Sequence, residues 1–366
     1  MTSDPLAKIA VIGTGLIGTS IALAAARAGI DVAGWDPDDD HLARAGATGV
    51  IAVRDSLADA VSGADLVVVC APIVAIARTV EAALAAAPTA VVTDAGSIKG
   101  TIVREVVEIA QAADLARFVP GHPMGGSERS GPEHASASIV DGIVWVVAPT
   151  EWSSEEAIGT LDRFVSSVGA QPVRMTPQRH DRLVAFVSHL PQVASTSLMG
   201  LAAAEEADEP DLLLLAAGGF RDLTRLASSN AALWSEILIA NREQISAAID
   251  LYVDALRRLR ADLLREGKGA ILRTFEEAKS ARVRLATKPQ VRAGMAVLQV
   301  EIPDRPGALA RITAVLGEGE VNIEDLQIVH AAEGGRGRVH LTVAAPALSH
   351  AVEVLEAGGY DPFRLA

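Results

Sequence analysis

The sequence predicts an α/β chain in three parts: a mostly parallel sheet with helices on both faces, an all-helical region, and a small βαββαβ module. Three observations carry this. Short β-branched runs alternate with helical stretches from residue 8 to about 177, no strand pattern occurs from Gln178 to about Leu285, and strands return beyond residue 296. The expected parts are residues 1–177, 178–285 and 296–366, with a linker at 286–295 that holds Lys288, Pro289 and Arg292. A chain of 366 residues has room for two to three domains at roughly 150 residues each.

In the first part, strands are expected at 8–12, 31–35, 66–71, 90–93, 117–120, 143–147 and 171–174, with helices at 17–28, 74–87, 101–113 and 155–168. Ile9-Ala10-Val11-Ile12 is a continuous apolar run of the kind covered on both faces of a parallel sheet. The uncharged stretch Ile9 to Ala26 mimics a secretory signal or a membrane span. It holds three glycines, two threonines and a serine in 18 residues, so strand plus helix is the better account.

In the second part, the longest helix is expected from about Asn230 to Glu266, closed by Gly267. On it Ile245, Ile249, Tyr252, Leu256, Leu259 and Leu263 recur at alternating spacings of four and three. That seam can pack against a helix of the same chain or of a second copy. In the third part, strands are expected at 297–302, 321–330 and 339–344, with a last one near 360–364. Helices are expected at 307–316 and 348–357.

Composition excludes several classes. With 50% hydrophobic and 21% charged residues the chain is not disordered. A net charge of −14 and 3% aromatic residues argue against a nucleic-acid binder. The single cysteine, Cys70, permits no intramolecular disulfide and no cysteine-based metal cluster, which points to a reducing, cytoplasmic setting.

Gly13-Thr14-Gly15-Leu16-Ile17-Gly18 follows a strand, opens a helix and precedes a second strand, the context a dinucleotide fingerprint requires. Gly13 permits the tight turn, Gly15 the approach of backbone to a pyrophosphate, and Gly18 close packing of helix on strand. The helix start at Leu16 and Ile17 offers free N–H groups to phosphate. Asp36, 18 positions after Gly18, suits both ribose hydroxyls and repels a 2′-phosphate, which selects NAD over NADP.

Four further motifs stand at strand ends or in the helical region. They are Asp94-Ala95-Gly96-Ser97-Ile98-Lys99-Gly100, Gly121-His122-Pro123-Met124-Gly125-Gly126-Ser127-Glu128, Ser188-His189-Leu190-Pro191, and Gly218-Gly219-Phe220-Arg221-Asp222-Leu223-Thr224-Arg225. In this order, over residues 8 to 285, they resemble the prephenate/arogenate dehydrogenase family of tyrosine biosynthesis. Asp304-Arg305-Pro306-Gly307-Ala308-Leu309 with Asn322-Ile323 resembles an ACT domain, an amino-acid-sensing module. The resemblance implies a Rossmann-like NAD domain, a helical substrate and dimerisation domain, and a ferredoxin-like ACT domain.

The resemblance further implies that His122 is the catalytic histidine, accepting a hydrogen bond from the ring hydroxyl of the substrate, and that Ser97 helps hold that hydroxyl. Arg225 matches the arginine that binds substrate carboxylate, and His189 a histidine near the substrate side chain. Glu128, Arg221 and Trp234 match positions around the pocket. The implied reaction is NAD-dependent oxidative decarboxylation of prephenate to 4-hydroxyphenylpyruvate, with no metal; arogenate, giving tyrosine directly, is the alternative. Gln192 departs from the family pattern, which often has histidine there. Asp304, Pro306, Gly307, Ala308, Leu309, Asn322 and Ile323 are the expected effector site, with tyrosine first and phenylalanine second, in a homodimer that binds neither nucleic acid nor membrane. Exposed N–H groups at the helix start after Asp304 suit an amino-acid carboxylate.

Two rival classes remain at this point. A β-hydroxy-acid-type dehydrogenase would rely on a lysine in its helical domain, yet Lys268, Lys279 and Lys288 all lie near the end of that region. A non-catalytic sensor of nucleotide and amino acid would not need His122, Ser97 and Arg225 together.

Overall fold

The computed structural model describes residues 6–125, 130–287, 295–303, 305–329 and 336–365. Strand β1 (Lys8–Ile12) is the central strand of a five-stranded parallel sheet, and its last four residues are buried. Helix α1 (Leu16–Arg27) leads to β2 (Asp31–Trp35), followed by α2 (Asp39–Gly46), β3 (Ile51–Val53), α3 (Leu57–Val61), β4 (Leu66–Val69), α4 (Ile73–Ala86) and β5 (Val91–Asp94). The order β3-β2-β1-β4-β5 is doubly wound, with the direction of winding reversing between β1 and β4. Ile9 and Val11 pack into the core on one side of the sheet, Ala10 and Ile12 into the core on the other. Each such burial contributes about 1.5–3 kcal/mol for a large aliphatic side chain. Strand β3 is not among the expected strands. Only Ile51 of its three residues is buried, so it carries no apolar run.

Helix α5 (Gly100–Ile109) is followed by β6 (Gly121–Pro123), β7 (Val144–Val147), α6 (Glu155–Ser167) and β8 (Gln171–Arg174). These strands form a second sheet, β6 antiparallel to β7 and β7 parallel to β8, so the expected strands divide between two sheets. The expected strand at 117–120 is corrected. Leu115–Arg117 is a 3₁₀ turn, Phe118 makes a single bridge to Val92, and the strand begins at Gly121. The cause is Arg117, whose guanidinium donates to the carbonyl oxygens of Leu84, Ala87 and Ala90 and to Asp114. A side chain, not a ladder, holds the chain there.

The helical region contains α7 (Pro177–Val184), α8 (Leu190–Glu205), α9 (Gly218–Thr224), α10 (Ala231–Ala240), α11 (Arg242–Leu264) and α12 (Lys268–Thr287). A π-helical turn at Ala185–His189 joins α7 to α8. Pro191 explains it: proline has no N–H and its ring crowds the carbonyl one turn back, which a wider turn relieves. The single helix expected over 230–266 is broken at Asn241, whose backbone leaves the helical region at φ −111° and ψ 23°. Along the seam Ile245 is buried, whereas Tyr252, Leu256 and Leu263 are exposed on this chain.

The molecule divides into two compact units, residues 1–272 and 273–366. In the second, β9 (Met295–Pro303), α13 (Ala308–Glu318), β10 (Asp325–Val329), β11 (Arg336–Ala344), α14 (Leu348–Ala357) and β12 (Pro362–Leu365) form an antiparallel sheet of order β10-β11-β9-β12. Leu298, Val300, Ile312, Leu316, Leu341 and Leu355 fill its core. This is the ferredoxin-like arrangement expected from the sequence. The strand expected at 321–330 begins only at Asp325, and α12 reaches two residues into the expected linker. Among the described residues no helix is long and apolar enough to cross a membrane.

Candidate active site

Asp94 ends β5 at the edge where doubly wound sheets bind ligands, and it is fully buried. Its carboxylate accepts the N–H of Gly96 at 3.0 Å and of Gly121 at 3.3 Å, and it pairs with the buried ammonium of Lys99. Lys99 also donates to the carbonyl of Gly121 at 2.6 Å. The loop bearing Ser97, half-buried between these partners, is thereby tied to β6, the strand bearing His122. Burial pushes the Lys99 ammonium down, opposed by the charge and hydrogen bond of Asp94 and by the charge of Asp181.

Helix α7 completes the site. Pro177 and the capping hydroxyl of Thr176, which accepts from Arg179 N at 3.2 Å, fix where the helix starts. One turn later His180 and Asp181 are both buried. Asp181 Oδ1 accepts Lys99 N and Oδ2 accepts Gly100 N, each at 2.7 Å. His180 Nδ1 lies 2.8 Å from Asp181 Oδ1, and His180 Nε2 lies 2.9 Å from His122 Nδ1. Asn241, at the break between α10 and α11, donates to Asp181 O at 3.0 Å and contacts His189 Nδ1 at 3.2 Å. The π turn delivers His189 there, and Trp234 meets its ring edge-on with centroids 5.9 Å apart.

Electrostatics keep the His122 and His189 rings neutral. Burial, then the charges of His180, Lys99 and His189, hold His122 well below the ordinary imidazole range. Burial pushes His189 down to about 4, with Asp181 opposing and His180 reinforcing the shift. A neutral histidine accepts a proton through whichever nitrogen is bare.

Of the residues expected from the sequence, the structure gathers His122, His189 and Trp234 into one network beside the Ser97 loop. Arg221 and Arg225 are exposed, on α9 and the turn after it, and Glu128 lies outside the described residues. Asp94, Lys99, His180, Asp181 and Asn241 carried no expected role. Adjacent polar residues at a helix start look like an exposed first turn in sequence. Only the fold shows that His180 and Asp181 are buried.

At the nucleotide end, Gly13 has φ +96°, and a Cβ there would stand 2.5 Å from the carbonyl oxygen of Cys70. A Cβ at Gly18 would stand 1.9 Å from the carbonyl of Gly13, whereas one at Gly15 would meet nothing within 4 Å. The protein's own packing therefore does not require glycine at position 15, and the open space beside it fits a bound phosphate. Asp36, ending the β2 connection, is nearly buried and accepts Thr14 N at 2.5 Å and Asp38 N at 2.9 Å.

Family models match both the sheet-bearing and the helical parts of the chain. The model of the prephenate dehydrogenase nucleotide-binding domain matches residues 21–174, and that of the prephenate dehydrogenase dimerization domain matches residues 176–277. Prephenate dehydrogenase of Bacillus subtilis (strain 168) is 31% identical over 343 residues, 91% of each chain. The chain belongs to the prephenate dehydrogenase family. Cyclohexadienyl dehydrogenase of Zymomonas mobilis is 30% identical, covering 78% of this chain and 98% of that one. The crystal structure of prephenate dehydrogenase from A. aeolicus with hydroxyphenyl propionate and NAD+ has a TM-score of 0.72 at 27% identity, covering 78% of this chain and all of that one. Synechocystis arogenate dehydrogenase has a TM-score of 0.68 at 27% identity, covering 76% and 99%. An ACT domain model matches residues 294–357.

In that ACT domain two details differ from expectation. The helix expected from 307 begins at Ala308, with Gly307, at φ +85°, at its N-cap and Pro306 in the turn before it. Asn322 precedes β10, and its amide donates to Glu324 Oε1 at 2.8 Å. Leu309 and Ile323 pack against the core of this unit, and Asp304 lies outside the described residues.

Proposed function

We propose that the chain is an NAD-dependent prephenate dehydrogenase that converts prephenate to 4-hydroxyphenylpyruvate, CO2 and NADH. The observation that carries this is His122, a neutral imidazole on β6 held through Nδ1, next to the residue that β5's terminal Asp94 anchors, with Nε2 left for a substrate hydroxyl. Bound NAD+ supplies the hydride acceptor. Residues Gly13, Gly15, Leu16, Ile17 and Gly18 would hold its pyrophosphate, and Asp36 its ribose.

His122 Nε2 takes the ring hydroxyl's proton as hydride leaves the carbon bearing it, and Ser97 orients that hydroxyl. The ring carboxylate then leaves as CO2, its bonding electrons complete the aromatic ring, and His122 returns the proton to the phenolate oxygen. No net proton is released, so the base must be neutral before each turnover and must hold its charge only briefly. Such positioned proton transfer is worth about 10²–10⁴-fold. Arg225 pairs with a substrate carboxylate, and His189 and Trp234 bound the side-chain end, with Arg221 and Glu128 as further substrate-binding residues.

We further propose a cytoplasmic homodimer, supported by the match to a dimerization domain and by the exposed Tyr252, Leu256 and Leu263 on α11. The ACT domain binds tyrosine or phenylalanine as effector, through the turn at Gly307 and Ala308. Formation of NADH from prephenate tests the reading. Turnover with arogenate alone would transfer it to the alternative substrate.

A further inference from the structure

We infer that His180 and Asp181 are positioning residues that hold His122 in the one tautomer able to take the substrate's proton. This rests on the proposed role of His122 and deepens it. Asp181 uses both oxygens as acceptors for backbone N–H groups, Lys99 on Oδ1 and Gly100 on Oδ2. The atom that faces His180 Nδ1 at 2.8 Å is thus an acceptor, and Nδ1 must carry the ring hydrogen. In a neutral imidazole the other nitrogen is then bare. His180 Nε2 accepts, so His122 Nδ1, 2.9 Å away, must donate. The lone pair of His122 falls on Nε2. For two neutral rings the chain of contacts admits one placement of hydrogens.

Burial makes that placement binding. The His180 ring is fully buried, so water does not offer His122 Nδ1 another partner on that side. The two rings meet at 78° with centroids 5.1 Å apart, an edge contact that aims one ring's N–H at the other's nitrogen. When His122 takes a proton, the Nδ1–H bond to His180 persists and the Asp181 carboxylate lies one ring beyond it. The charge of Lys99, which donates to the carbonyl of the neighbouring Gly121, disfavours a charge on that imidazole, while Asp94 pairs with Lys99. In serine-protease triads, replacing the orienting acid by its amide leaves the wrong tautomer and lowers kcat about 10⁴-fold.

NMR of the full-length protein carrying isotope-labelled histidine reads the tautomer directly, without turnover. At neutral pH, His122 is expected to carry its hydrogen on Nδ1. His180→Leu is expected to lose that fixed tautomer and at least about 30-fold in kcat, with Kd for NAD+ unchanged within about twofold. His180→Gln restores an acceptor oxygen and is expected to recover both the tautomer and most of kcat. A wild-type spectrum with the hydrogen on Nε2 overturns the inference, as does His180→Leu with wild-type kcat. If His180→Leu does not fold, the wild-type spectrum decides alone. Absence of NADH from prephenate would instead overturn the proposed reaction and leave the tautomer measurement standing.

Discussion

The side-chain amide of Gln192 donates to the backbone carbonyl of Leu226 at 2.7 Å, one residue beyond Arg225. Its oxygen accepts from Ser229 Oγ at 3.3 Å, and the side chain is nearly buried. Gln192 is a clamp between α8 and the turn that bears Arg225. Gln192→Leu should therefore act through Arg225. Loss of a buried bond of this kind costs about 1–2 kcal/mol, or roughly five- to thirtyfold, expected in KM for prephenate with kcat little changed. Steady-state kinetics check it, and a fall in kcat at constant KM would refute the clamp.

Arg225→Ala should raise KM for prephenate at least about tenfold and leave Kd for NADH alone, since a charged carboxylate partner is lost. Isothermal titration with NADH and initial rates with prephenate separate the two. An unchanged KM would place Arg225 outside the pocket.

Asp36, the proposed ribose partner, also anchors Thr14 of the glycine turn. Asp36→Ser should relax discrimination against NADP+ and also raise KM for NAD+, because the turn loses its anchor. A wild type that already uses NADP+ as well as NAD+ would remove Asp36 from this role.

His189 is depressed to about 4 by burial, below its ordinary value near 6.5. Between these values the unfolded chain binds a proton that the native state excludes, so stability rises with pH across that window and is lost on acidification. The melting temperature should fall from pH 6.5 towards pH 4, and His189→Gln should flatten that fall. His122, also depressed, contributes in the same sense. For catalysis the same depression places the acid limb of kcat below the ordinary imidazole range. A limb at or above it would contradict a buried neutral base.

The sheet, the glycine turn and the ferredoxin-like module were legible because each rests on local pattern: apolar runs, a glycine spacing, a β-α-β order. His122 and His189 stand in motifs visible in the sequence, whereas Trp234 was picked out by the family resemblance alone. What escaped depends on contacts between distant segments. The break at Asn241 reflects an amide drawn to Asp181 and His189, about fifty to sixty positions away by the chain numbering. The pairing of Lys99 with Asp94 was hidden although both lie in one quoted motif, because a lysine near a helix start is ordinarily solvated. The turn that replaces the strand expected at 117–120 is held by Arg117, whose carbonyl contacts no periodicity reveals.

The central claim is tested most directly by initial rates of NADH or NADPH formation, measured with prephenate and arogenate, each with NAD+ and NADP+, for wild type and His122→Asn. The account predicts highest kcat/KM for prephenate with NAD+, and a loss of at least about 10²-fold in kcat for His122→Asn with NAD+ affinity retained. Near wild-type turnover by His122→Asn, or no reduced cofactor from either substrate with the wild type, would contradict it.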